Sequence, residues 1–169
     1  TAGLYSPYLK QLLIWNVPQR DMMFRTIVHE GFHQYLDMVA PGTPRWFNEG
    51  MAENMELYET VNGKFTEGQS NMDHLELLME ARMPLEHFLR MPTSAFYRGN
   101  VGVHYAQGWA FVHFLRNSGR DEQKIFDALF HGFENSPSTS QVMEAAFEGV
   151  DMKDLEARFV KHIKDLYSK

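Results

Sequence analysis

The chain has 169 residues, 44% of them hydrophobic and 14% aromatic, which fits one domain with a core of its own. Its 16 Lys and Arg against 22 Asp and Glu give a net charge of -6, spread without single-sign blocks, which argues against nucleic acid or an anionic membrane as the main partner. With no cysteine, disulfides, thiolate ligands and cysteine nucleophiles are excluded, so any metal must be held by nitrogen and oxygen atoms.

The opening "GLYSPYLKQLLIWN" is rich in aliphatic and aromatic residues and broken by Ser6-Pro7, so it reads as one or two short strands, the only clear β segment. Asp21 can cap a helix over 22–39. In it Met22, Met23, Phe24, Ile27, Val28, Phe32, Tyr35 and Leu36 surround most of the circumference, the pattern of a buried central helix. Pro41, Gly42 and Pro44 end it. A second helix starts at Arg45, anchored by Trp46 and Phe47, and stops at Asn62-Gly63, before a polar surface loop over 63–70. Ser70 and Asp73 form a capping-box pattern for a helix over 71–82, and Pro84 opens a short one over 84–91.

Residues 92–102 are irregular. A helix over 104–117 follows, with Tyr105, Trp109, Val112 and Leu115 on one side and Gly119 closing it. Helical patterns over 121–133, 141–147 and 151–167 finish the chain, with residues 134–140 as a connection. The expected fold is α+β, mostly α: a short N-terminal β element and a bundle of about six to seven helices. No repeat and no second domain are visible, so residues 1–169 form a single unit. No apolar run approaches the roughly 20 residues that span a bilayer. The start at Thr1, without an initiating Met, suggests a piece of a longer precursor, with a secreted, periplasmic or cell-envelope location as the expectation.

The chemistry concentrates in "TIVHEGFHQYLDMVAPGTPRWFNEGMAEN", residues 26–54. On a helix, positions four apart share a face, so His29 and His33 can point imidazole nitrogens at one ion. Glu30 is turned by about 100° from His29 and can instead reach a water on that ion as general base. The pattern His-Glu-x-x-His would arise by chance in such a chain about 3% of the time, so context has to carry the assignment. Leu36 and Val39 occupy the positions where one large zinc-hydrolase group has Gly and a third His, which excludes that branch. The remaining route to a third ligand is a glutamate from the next helix, and Glu49 sits one turn into it. Glu53, four residues later, is placed to accept a hydrogen bond from the far nitrogen of a ligating His.

"VHEGFHQYL" followed by "PRWFNEGMAE" resembles the gluzincin metallopeptidases, the broad group containing thermolysin and the aminopeptidase N family. It is most similar to bacterial gluzincin-like domains of poorly assigned function, in which an aromatic-rich helix like "YAQGWAFVHFL" follows; the likeness spans about residues 4–118. The resemblance implies a zincin-like metallopeptidase fold with one Zn2+ per chain, held by His29, His33 and Glu49. Glu30 would be the base, Glu53 and Asn48 would orient ligands, and Tyr105 or His104 would stabilise the oxyanion. It also implies that the strand "YLKQLLIWN" aligns an extended peptide beside the metal.

The interval from His33 to Glu49 is shorter than in thermolysin or aminopeptidase N. The Gly-x-Met-x-Asn motif of aminopeptidase N relatives is absent from these residues, which favours an endopeptidase over an aminopeptidase. The implied function is zinc-dependent hydrolysis of a peptide or protein substrate. A non-catalytic binding module that keeps the site, and an amidase acting on non-peptide amides, are the alternatives. His74, His87, His113, His131 and His162 lack partners at ligand spacing and read as structural or surface residues.

Overall fold

A computed structural model describes residues 2–66, 70–136 and 138–169, and for 59–61 and 65 the backbone alone. In chain order the elements are β1 (Gly3–Ser6), β2 (Gln11–Ile14), α1 (Arg20–Val39), α2 (Arg45–Met55), β3 (Glu59–Val61) and β4 (Lys64–Thr66). They continue as α3 (Met72–Glu80), α4 (Leu85–Leu89), α5 (Thr93–Phe96), α6 (Val101–Asn117), α7 (Arg120–Asn135), α8 (Thr139–Ala146) and α9 (Met152–Tyr167). The mostly α, α+β character expected from the sequence is present. Nine helices are described rather than six to seven, and the five-residue α4 and the single turn α5 account for the difference.

The centre of the fold is α6, not α1. In α6 every residue from Val103 to Leu115 except Tyr105 is buried, so the face expected for Trp109 and Val112 extends around nearly the whole helix. Asn100 caps it by accepting from the Val103 N–H, which starts it three residues earlier than the pattern suggests. By contrast only Glu30 and Leu36 of α1 are buried, while Met22, Phe24, Val28, Tyr35 and Met38 are exposed. Asp21 lies in the first turn of α1 rather than capping it. Apolar residues all round a helix mark full burial only when neighbours cover every side. Here α2 and the β1–β2 hairpin cover α1 in part.

The amphipathic helices close around α6. In α7, Glu122, Ile125, Leu129 and Phe133 turn inward, and in α9 Leu155, Phe159, Ile163 and Leu166 do, each at the three- and four-residue spacing of one helical face. Buried Glu122 pairs with Arg158, joining the two helices. Two further histidines join α6 to α9 through His113 Nδ1 and His162 Nε2, 2.9 Å apart, and burial beside His113 pushes His162 down to about 4.

A second hairpin stands where the sequence suggested a helix end and a loop. β3 pairs antiparallel with β4 across Asn62-Gly63, whose φ angles of 52° and 76° are both positive, as a two-residue type I′ turn requires. Glu67, Gly68 and Gln69 of the expected loop, and Pro137 of the expected connection, lie outside the described residues. Asn71, not Ser70, caps α3, by accepting from the His74 N–H. Among the described residues no helix is long and apolar enough to cross a membrane.

The closest helix contact is between α2 and α6, where Gly50 meets Gly108. A Cβ on Gly50 would fall 2.3 Å from the Gly108 carbonyl oxygen, and one on Gly108 would fall 2.9 Å from that of Trp46. Asn54 locks the crossing by donating to Gly50 O at 2.7 Å and Trp109 O at 2.9 Å. Because the obstacle is backbone, Gly50→Ala or Gly108→Ala should destabilise by about 2 kcal/mol or more. Gly31→Ala, whose Cβ would meet nothing within 4 Å in α1, should instead stabilise by about 0.5–1 kcal/mol. Denaturant unfolding of the three variants checks both signs.

Candidate metal centre

The i, i+4 spacing on α1 brings His29 and His33 together, ring centroids 4.7 Å apart and nearly perpendicular. The short connection through Pro41 and Pro44 folds α2 back on α1, and Trp46 and Phe47, both almost fully buried, fix its rotation. Glu49, 3% exposed, therefore faces the two imidazoles. Its Oε2 lies 3.4 Å from His29 Nε2 and 3.3 Å from His33 Nε2, and one donor atom from each residue lies within 4.8 Å of the others.

Two donors on a tetrahedral ion with bonds of about 2.05 Å stand about 3.3–3.4 Å apart. The two measured contacts match that edge length. Glu49 Oε2 is buried with no hydrogen-bond partner among the described residues, an acceptor that a cation would satisfy. His29, His33 and Glu49 could thus hold a metal ion through two nitrogens and one oxygen.

The surrounding groups differ from expectation. Glu53 does not reach His29: its carboxylate pairs with His74 Nε2 at 2.9 Å, so His74 has a partner that spacing did not reveal. Glu56 Oε2 takes the place beside His29 Nδ1, at 3.2 Å. Asn48 donates to Thr43 Oγ1 at 3.1 Å, while its Oδ1 and His33 Nδ1 are both buried without a hydrogen bond, so no bond from Asn48 orients a ligand.

Tyr97 is the residue that sequence reasoning missed. Its hydroxyl donates to Glu49 Oε1 at 2.7 Å, leaving Oε2 for the ion, and Tyr105 hydrogen-bonds the Tyr97 hydroxyl. Tyr97 lies just past α5, in a stretch with no periodicity, so no spacing signal points to it. His104 is not at the site. It is buried, its Nδ1 is 2.7 Å from the Phe96 carbonyl oxygen, and it does not line the cleft.

Burial alone would lower the His29 pKa, but the carboxylates of Glu49, Glu56 and Glu53 outweigh burial and hold it at about 10. Burial would raise Glu49, yet the two imidazoles and Tyr97 keep it well below the usual carboxylate range. Without a metal, this cluster retains a proton in the middle of its acids. Burial and the Glu49 charge push Tyr97 and Tyr105 above the ordinary phenol value, so both remain protonated donors.

These residues line an open cleft of about 950 Å³. Glu30 is 8% exposed and accepts the Tyr5 N–H on Oε2 at 2.7 Å, which leaves Oε1 for the cleft. The strand beside the metal centre is consequently β1. Tyr8–Asn16, the stretch expected there, contributes β2 on the far side of the hairpin.

A group that could hold a metal ion, beside a buried carboxylate and paired phenols, is the class of site that the geometry describes. No family model, curated protein or solved structure gives a significant match to the chain.

If Glu56 holds the His29 ring, Glu56→Gln should weaken zinc binding roughly 10- to 100-fold, and Glu53→Gln several-fold less. Competitive zinc titration of the two variants ranks them, and the reverse order would restore Glu53 to the expected role.

Proposed function

We propose that the chain is a zinc-dependent hydrolase of the gluzincin kind, acting on peptide bonds. The observation that carries the reading is the convergence of His29 and His33 on Glu49 Oε2 at 3.3–3.4 Å, with Glu30 one position along α1 on the same cleft. When bound, zinc supplies a Lewis acid that polarises a substrate carbonyl and acidifies a water.

The chain's own residues supply the rest. Glu30, held through Oε2 by the Tyr5 N–H, uses Oε1 to take a proton from the attacking water and later delivers it to the leaving amine. Tyr105 remains protonated and can turn its hydroxyl from Tyr97 to the oxygen that develops negative charge, while the Tyr97 proton stays on Glu49 Oε1. Of the two residues suggested for that role by the sequence, Tyr105 lines the cleft and His104 does not, and Tyr97 serves Glu49 instead.

A peptide is favoured over a compact amide by the shape of the site. The cleft is open and of about 950 Å³, and an extended substrate can lie along it beside β1. The intact set of ligands, base and phenols favours a working enzyme over a binding module that merely keeps the site.

Glu30→Gln should retain one zinc per chain and lose at least about 1,000-fold in peptide hydrolysis, since the general base would be gone. Digestion of a mixed peptide library by wild type and variant, with zinc measured in both, checks this. A variant as active as wild type would remove the proposal.

A further inference from the structure

The cleft is asymmetric along its length. β1 runs in the same direction as α1: Gly3 lies against Thr26, the Tyr5 N–H meets Glu30, and the Tyr5 hydroxyl reaches Asp37 at 2.5 Å. Near the start of α1 the lining is apolar, from Val17 and Met22. Beyond the histidines, where α1 ends and α2 begins, the cleft is lined by Asp37, Thr43 and Arg45.

Asp37 is already engaged there, paired with Lys10 at 2.5 Å and hydrogen-bonded by the Tyr5 hydroxyl. Arg45 is the only Lys or Arg among the described lining residues, and none of its N–H groups makes a hydrogen bond among them. Among the described residues its Nε is buried with no hydrogen-bond partner, and its one ion pair, NH1 to Glu49 Oε1, is 3.7 Å long, beyond hydrogen-bond reach. The Tyr97 ring lies 5.5 Å from the guanidinium carbon and holds the group in place without consuming a donor. A planar cation with free N–H groups, fixed against an aromatic ring beside a reaction centre, suits bidentate recognition of a carboxylate.

We propose that Arg45 forms a carboxylate subsite, so that preferred substrates carry an acidic side chain or a free C-terminus on the side of the scissile bond nearest the end of α1. This rests on the hydrolase reading above and adds the substrate class. Such a contact favours the charged ligand over its neutral isostere by roughly 10- to 100-fold.

The test uses binding, so that it does not depend on turnover. Two hydroxamates identical except for a terminal carboxylate or carboxamide are titrated by calorimetry into the zinc-loaded full chain, as wild type, Arg45→Gln and Arg45→Lys. The expected result is a carboxylate preference of roughly 10- to 100-fold in wild type, reduced in Arg45→Lys and abolished in Arg45→Gln, with the carboxamide affinity unchanged. Equal binding of the two probes by wild type overturns the subsite while leaving the metal centre standing. So does an Arg45→Gln variant that loses both probes equally together with zinc, because that marks a residue positioning Glu49. If neither probe binds a chain of verified zinc content, the hydrolase reading fails and the subsite with it. Peptides bearing Glu and a blocked C-terminus, against peptides with Gln and a free one, then distinguish the two sources of carboxylate.

Discussion

The contact on which the site depends is the backbone approach of α2 to α6 at Gly50 and Gly108. Helices packed through side chains stand 8–10 Å apart; two facing glycines allow less. That approach seats α2 in the core along most of its length, with Trp46, Phe47, Met51 and Ala52 buried. Glu49 precedes Gly50 and is therefore carried into the interior, where an unpaired carboxylate would be costly. The same crossing brings Tyr105, one turn before Trp109 on α6, towards the other side of Glu49. Distance between ligand and phenols is thus set by packing far more than by the polar groups themselves.

Burial of Glu49 dictates the electrostatics. Its Oε1 is served by Tyr97 and, at longer range, Arg45, whereas Oε2 faces two imidazoles without a hydrogen bond. With Glu53 and Glu56 close by, the carboxylates favour a positive charge at the cluster and raise His29 well above the ordinary imidazole value. A proton can meet that demand at one nitrogen. A divalent ion meets it at three atoms at once, and its binding would displace the proton.

Much of the site was legible because its determinants are local. His29 and His33 needed only the helical repeat of α1, and Glu49 needed only a connection short enough to fold α2 back. The structure departs from the local pattern where three dimensions decide. Glu53 is one turn beyond Glu49 and Glu56 close to two; a seven-residue step returns to nearly the same angle on a helix, and the placement of α1 against α2 then selects Glu56 for His29. Tyr97 arrives from a segment without period, so only the folded chain reveals it. The burial of α6 rather than α1 was hidden for a related reason. Both sequences are apolar on most sides, and which one becomes the centre depends on what surrounds it. The hairpin at Asn62-Gly63 could have been read from its turn residues, since Asn-Gly between short β-compatible runs is a strong hairpin signal.

The proposed hydrolysis requires a metal ion held jointly by α1 and α2. Zinc titration of the purified chain against a competing chelator, with wild type, His33→Ala and Glu49→Gln side by side, tests that most directly. One zinc per chain in wild type, with affinity at least about 100-fold weaker in each variant, is the predicted result. A wild type that binds no zinc, or variants that bind it as tightly as wild type, would contradict it.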